Sequence, residues 1–135
     1  VNEPVIRAVS KYFNDNEISI LNGDFAAACQ GAQKGDFVYL DPPYDPVSDT
    51  ASFTGYNAGG FGSEEQIRLR DLCVELDEKG VKFLLSNSAT KFIMELYNSK
   101  NFESKITIDI VKAKRSINSN GNKRGEVDEV LIRNY

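Results

Sequence analysis

Gly35-Asp36-Phe37-Val38-Tyr39-Leu40-Asp41-Pro42-Pro43-Tyr44 is a short, apolar, β-prone run that ends in an acid, two prolines and an aromatic residue. Phe37 to Leu40 has the length of a buried parallel strand, and its end delivers Asp41 to the carboxyl edge of a sheet, where open α/β sheets bind ligands. Pro42 and Pro43 fix φ, remove two backbone donors and drive each preceding residue toward extended geometry. The turn is therefore stiff and rich in acceptors. Asp41 and the carbonyl of Pro42 can each accept one hydrogen of an exocyclic amino group while Tyr44 stacks on the ring that carries it. The plainer alternative is a strand-terminating Pro-Pro turn with a solvated acid and a packing tyrosine.

Outward from this stretch the chain alternates strand and helix, which argues for an α/β sheet. Pro4 followed by Val5, Ile6, Val9, Tyr12 and Phe13 predicts an amphipathic N-terminal helix, and Ile18 to Leu21 a short strand. Asp24 then caps a helix running to about Cys29. The glycine-rich segment 45–62 reads as a long loop, and a loop of that length inside one domain is commonly functional. Ser63, with Glu65 and Gln66 in the first turn, opens a helix that buries Ile67, Leu69, Leu72, Cys73 and Leu76 and stops at Gly80. Val81 to Leu85 is a buried strand and Thr90 to about Asn98 a helix. The chain ends in an antiparallel strand pair, with Ile106, Ile108 and Ile110 on one face and Val127, Val130, Leu131 and Ile132 on the return strand.

The chain has 135 residues, enough for one domain with a real core, and its apolar and charged fractions are ordinary for a globular protein. It contains no histidine, which excludes His-based metal sites and Ser-His triads and leaves no metal expected. Cys29 and Cys73 lie in helical apolar patterns without disulfide-framework or metal-ligand spacing, so both read as reduced core residues. No apolar run spans a membrane and no signal peptide is visible, so a cytoplasmic protein with no membrane partner is expected. The net charge of −4 is awkward for a nucleic-acid binder, yet no acid falls between Ile110 and Gly125, where Lys112, Lys114, Arg115, Lys123 and Arg124 gather.

Asp41-Pro42-Pro43-Tyr44 resembles the catalytic motif of amino-group methyltransferases that use S-adenosylmethionine, in the form typical of Dam-like DNA adenine-N6 enzymes. The segment Ala51-Ser52-Phe53-Thr54-Gly55-Tyr56-Asn57 is similar to their active-site loop, and Phe61-Gly62-Ser63-Glu64-Glu65-Gln66-Ile67-Arg68-Leu69 to the helix entry that follows. Leu84-Leu85-Ser86-Asn87-Ser88 and Arg115-Ser116-Ile117-Asn118-Ser119-Asn120-Gly121 also match, in the same order. The resemblance implies a Rossmann-like methyltransferase sheet, S-adenosylmethionine as methyl donor and double-stranded DNA as partner. Asp41, Pro42, Pro43 and Tyr44 would form the catalytic turn. Asp24, Phe25, Asp41 and Gln66 would face the cofactor, and Tyr44, Phe53, Tyr56 and Asn57 would contact an extruded base or DNA. Ser86 and Asn87 would orient the active-site loop, and Arg115, Ser116, Asn118, Lys123 and Arg124 would touch phosphate or target strand.

Each assignment has a plainer counterpart. Asp24 can be only an N-cap and Phe25 only core; Gln66 reads from sequence alone as a helix-surface residue; Ser86 and Asn87 read as a turn, and 115–124 as a solvated hairpin. The sequence also departs from the family pattern. It shows no glycine-rich strand-to-helix turn of the kind that cradles S-adenosylmethionine and no Lys-containing segment before it. The expectation is therefore the C-terminal portion of one catalytic domain, its N-terminal cofactor-binding strands missing, inactive alone, with an exposed sheet edge through which a homo-oligomer could pair. Resemblance to Dam-like enzymes suggests a GATC target. The alternatives are a non-catalytic nucleic-acid-binding remnant, or an amino-methyltransferase acting on cytosine N4, RNA or a protein glutamine.

Overall fold

The computed structural model describes residues 2–47, 60–114 and 126–135. In chain order these form α1 (Glu3–Asp15), α2 (Phe25–Cys29), β1 (Phe37–Leu40), α3 (Ser63–Glu78), β2 (Lys82–Ser88), α4 (Lys91–Leu96), a 3-10 turn at Ser99–Asn101, β3 (Thr107–Lys114) and β4 (Glu126–Arg133). The four strands make one open mixed sheet in the order β1-β2-β4-β3. β1 and β2 are parallel, with Phe37 opposite Lys82 and Leu40 opposite Leu85, as the reading of the Phe37 to Leu40 run required. Parallel neighbours need a long crossover, and α3 lies in it. β4 then pairs antiparallel with both β2 and β3, which gives the expected closing strand pair.

The core lies between α3 and the middle of the sheet. Leu69, Leu72, Cys73 and Leu76 recur at helical spacing and meet Phe83 and Leu85 of β2, Val130 and Ile132 of β4, and Ile93, Tyr97, Phe102 and Ile106. Tyr97 stacks on Phe102 with ring centroids 6.2 Å apart. Burial pushes the Cys73 thiol and the Tyr97 phenol up from their ordinary values, so both stay neutral in the core.

α3 ends by a mechanism written in its sequence. Gly80 adopts φ 71°, its N–H donates to the Asp77 carbonyl at 2.8 Å, and the Val81 N–H donates to the Leu76 carbonyl at 2.9 Å. This is a Schellman closure, with Val81 and Leu76 both fully buried beside it. A Cβ at Gly80 would sit 3.3 Å from Cγ of the flexible Lys34, so the cost of a side chain there is mainly that of the left-handed backbone. Gly80→Ala is expected to destabilise the fold by about 1 kcal/mol, read as a lower urea midpoint at unchanged m.

Several expectations are corrected. Ile18 to Leu21 is not a strand: it has no regular structure, and Ile20 is 80% exposed. No described strand pairs with this apolar run, so nothing among the described residues holds it extended. β1 is not buried on both faces: Leu40 is buried toward α3, whereas Phe37 and Tyr39 alternate to the opposite face and are exposed. Ile67 is exposed as well: the inward stripe of α3 runs through Gln66, Leu69, Cys73 and Leu76, which turns Ile67 away. Ile106, just before the outer strand β3, is buried, but Ile110 on β3 is exposed. Ser86 and Asn87 do not end β2, which continues through Ser88. α1 forms as expected around Pro4, yet its stripe of Val5, Ile6, Val9, Tyr12 and Phe13 remains exposed. No described helix is long and apolar enough to cross a membrane.

Candidate active site

Strand alternation sorts the residues around the Asp41–Tyr44 turn onto two sides. Leu40, Leu85 and Asn87 face α3, whereas Tyr39, Asp41 and Ser86 face the other way. On that other side, the Ser86 hydroxyl donates to Asp41 Oδ1 at 2.8 Å. Ser86 is buried, so its one proton holds the carboxylate in a single pose. The Tyr39 hydroxyl lies 3.5 Å from Ser86 Oγ in a longer contact. Tyr44 sits close to Asp41, Tyr39, Ser86 and Glu129. Partial burial, followed by the negative charges of Glu129 and Asp41, pushes its phenol above the ordinary tyrosine value. Tyr44 is therefore a neutral aromatic surface rather than a phenolate.

On the α3 side the turn is gripped by buried amides. Gln66 Nε2 donates to the Pro43 carbonyl at 2.9 Å, and Asn87 Nδ2 donates to Gln66 Oε1 at 3.1 Å. Asn87 Oδ1 accepts the backbone N–H of Asp45 at 2.9 Å and that of Ser88 at 2.8 Å. The Asp45 carboxylate also accepts the Thr90 hydroxyl at 2.6 Å, while Thr90 Oγ1 caps α4 by accepting from the Ile93 N–H. Gln66, 1% exposed, is thus not a helix-surface residue. Polarity alone suggests exposure at this position, but Gln66 continues the buried stripe of α3. No described residue donates to the carbonyl of Pro42.

A second cluster lies at the first turns of α3. Asp24 caps α2, accepting from the Ala26 N–H at 2.9 Å, and forms an ion pair with Arg68. The Arg68 guanidinium bonds both carboxylate oxygens of Glu65, at 3.0 and 2.8 Å, and lies 4.3 Å above the Phe25 ring. Phe25 in turn packs on Phe61 at 5.7 Å. The hydrogen bond from Arg68, ahead of those from the α2 backbone, holds the Asp24 carboxyl below its ordinary range. Asp24 is therefore both an N-cap and a member of a charged, aromatic cluster. Sequence reading found Asp24 and Phe25 and missed Arg68; an arginine three residues after Glu65 on one helix face was the available signal.

The structure thus brings together Asp41, Pro42, Pro43, Tyr44, Gln66, Ser86 and Asn87, and joins Asp24 and Phe25 to them through the start of α3. Tyr39, Thr90 and Glu129 enter the site without having been singled out. Phe53, Tyr56, Asn57, Arg115, Ser116, Asn118, Lys123 and Arg124 lie outside the described residues, as does most of the 45–62 loop.

A family model described as D12 class N6 adenine-specific DNA methyltransferase matches residues 1–117. A type II methyltransferase of Lactococcus lactis subsp. cremoris is 43% identical over 135 residues, covering 100% of this chain and 45% of the relative. Another, from Methanocaldococcus jannaschii, is 39% identical over 136 residues, covering 99% of the chain and 44% of the relative. A DNA adenine methylase of Escherichia coli is 37% identical over 107 residues, 79% of the chain and 36% of the relative. The chain spans less than half the length of these relatives. With the family model matched over residues 1–117, which include the Asp41–Tyr44 turn, the chain belongs to the D12 class N6 adenine-specific DNA methyltransferases.

Proposed function

We propose that this chain carries the base-binding and catalytic half of a site-specific DNA methyltransferase that moves a methyl group from S-adenosylmethionine to adenine N6. The observation that carries the reading is the pair of acceptors at the end of β1: a carboxylate oriented by Ser86 and a Pro42 carbonyl with no donor among the described residues. The N6 lone pair is delocalised into the purine, so the amino group is planar and weakly nucleophilic. Asp41 and the Pro42 carbonyl, each taking one amino hydrogen, draw the nitrogen toward tetrahedral geometry. They also stabilise the positive charge that grows on it, as preorganised electrostatics.

An adenine reaches this turn only when flipped from the duplex, at a cost of about a few kcal/mol. Stacking on Tyr44 offsets roughly 1–3 kcal/mol of that. Tyr44→Phe is expected to be nearly silent. Tyr44→Ala should lower kcat/KM by about 5- to 150-fold; equal losses for the two variants would reject stacking as the role of Tyr44. The remaining residues proposed to contact DNA are Phe53, Tyr56, Asn57, Arg115, Ser116, Asn118, Lys123 and Arg124, around a GATC-type site.

The methyl donor supplies an electrophilic carbon on a sulfonium. Its adenine end is proposed to lie against the cluster of Asp24, Phe25 and Phe61. Arg68 covers one face of Phe25, so a purine would use the remaining aromatic surface and the lone pairs that Asp24, about half exposed, retains. No glycine-rich strand-to-helix turn occurs in these 135 residues, so the chain alone is proposed to be inactive. Pairing of two copies along the free edge of β1 is proposed as well, and a monomeric mass at high concentration would reject it.

The central test supplies S-adenosylmethionine and a duplex to the chain alone and to the chain fused behind the N-terminal part of its Lactococcus relative, with mass analysis of the nucleosides. N6-methyladenine from the fusion alone is expected. N4-methylcytosine, or no product from a fusion whose parent relative is active, would overturn the reading.

A further inference from the structure

We infer that Gln66 and Asn87 form a directional two-amide relay that sets the pose of the Asp41–Tyr44 turn, so that Gln66 is a positioning residue and not a cofactor ligand. The inference rests on the methyltransferase reading only for its catalytic consequence.

The direction of the relay follows from donor and acceptor chemistry. Asn87 Oδ1 receives two backbone N–H groups, from Asp45 and Ser88, so the oxygen of this amide must lie on that side. Its nitrogen is then forced toward Gln66 and can only donate, which makes the facing atom of Gln66 its oxygen. That leaves the Gln66 nitrogen pointing at the Pro43 carbonyl, an acceptor that cannot reverse the assignment. Every step is fixed by an invariant backbone group at each end, and both side chains are buried, so a flipped amide would set two oxygens against each other without water.

The relay also spans the catalytic turn from both ends. Pro43 is held from α3 and Asp45 from β2, two residues apart, with Tyr44 between them. The carbonyl of Pro43 already accepts from Gln66, whereas that of Pro42 has no donor among the described residues. A turn with two prolines has few donors of its own, and the amide of Gln66 supplies one from outside.

Gln66→Glu tests this because a carboxyl reproduces the pattern only when protonated: its hydroxyl can donate to Pro43 while its carbonyl accepts from Asn87. Once ionised, it presents an oxygen to the Pro43 carbonyl and repels it. Hydrogen exchange at the Asp45 amide is followed by NMR on the 135-residue chain from pH 5 to 8, corrected for intrinsic exchange. No substrate or cofactor is present, so the result does not depend on whether the enzyme assignment is right. Wild type is expected to show a protection factor that does not change with pH. Gln66→Glu should match it at low pH and lose at least about tenfold as the carboxyl ionises, with the fold intact by far-UV circular dichroism.

If Gln66→Glu does not fold at any pH, Gln66→Met, which keeps length without a donor, decides. It should show at least about tenfold lower Asp45 protection at every pH, with no pH dependence of its own. Wild-type protection in Gln66→Met, or protection that stays at the wild-type level in folded Gln66→Glu while its carboxyl is seen by NMR to be ionised, would overturn the relay; low protection at every pH in Gln66→Glu ionised throughout supports it.

Discussion

Alanine at position 41 is expected to lower methyl transfer by about 10²–10³-fold, the loss typical when one preorganised electrostatic partner is removed from a reacting centre. The loss should fall on the chemical step. Asp41 takes one amino hydrogen and faces the charge that develops on nitrogen, so it acts more strongly on the transition state than on bound substrate. A single-turnover assay of a transfer-competent fusion should show the rate falling while duplex affinity changes little. Ser86→Ala should fall between wild type and Asp41→Ala, near tenfold, because it leaves the carboxylate in place but removes the 2.8 Å bond that orients it. An Asp41→Ala enzyme that keeps a tenth or more of the rate would remove the acceptor role from this turn.

The turn itself was legible because its signals are local. A β-prone run of four, an acid and two prolines restrict the backbone whatever surrounds them, and the structure keeps β1, its parallel pairing and the exposed Asp41 in that order. The start and end of α3 were legible for the same reason, from Ser63 with its acidic first turn and from Gly80. What stayed hidden depends on partners distant in sequence. Gln66 looks like a solvated glutamine until Pro43 and Asn87 are seen beside it, and Ser86 looks like a turn residue until Asp41 is placed opposite. Apolar content points the other way at Ile18, Ile20 and Leu21: β-propensity describes fit to a sheet, and no described strand lies alongside them. Arg68 escaped because its partner Asp24 is 44 residues away.

The largest effect on stability is expected at Asp77, a buried carboxylate on α3 that ties both ends of the fold together. Its Oδ2 accepts the Ser104 N–H at 2.9 Å and its Oδ1 accepts Asn134 Nδ2 at 2.8 Å. Asn134 also donates to the Val81 carbonyl at 3.0 Å and accepts the Phe83 N–H at 2.9 Å, which fixes the end of β4 to the start of β2. Asp77→Ala leaves the Ser104 N–H and one Asn134 donor without their acceptor in a site only 4% exposed, and is expected to cost about 3 kcal/mol. Burial alone would raise the Asp77 pKa, but the hydrogen bonds from Ser104, Asn134 and the Glu103 backbone outweigh it and hold it below the ordinary aspartate value. A folded-state pKa below the unfolded one, about 3.9, means that the charged carboxylate contributes fully above that pH and progressively less as pH falls through the folded value. Urea unfolding of wild type and Asp77→Ala should therefore differ most near neutrality, with the gap narrowing below about pH 4. A gap that is constant from pH 7 to pH 3 would show that the carboxylate is held by packing and not by its charge-assisted hydrogen bonds.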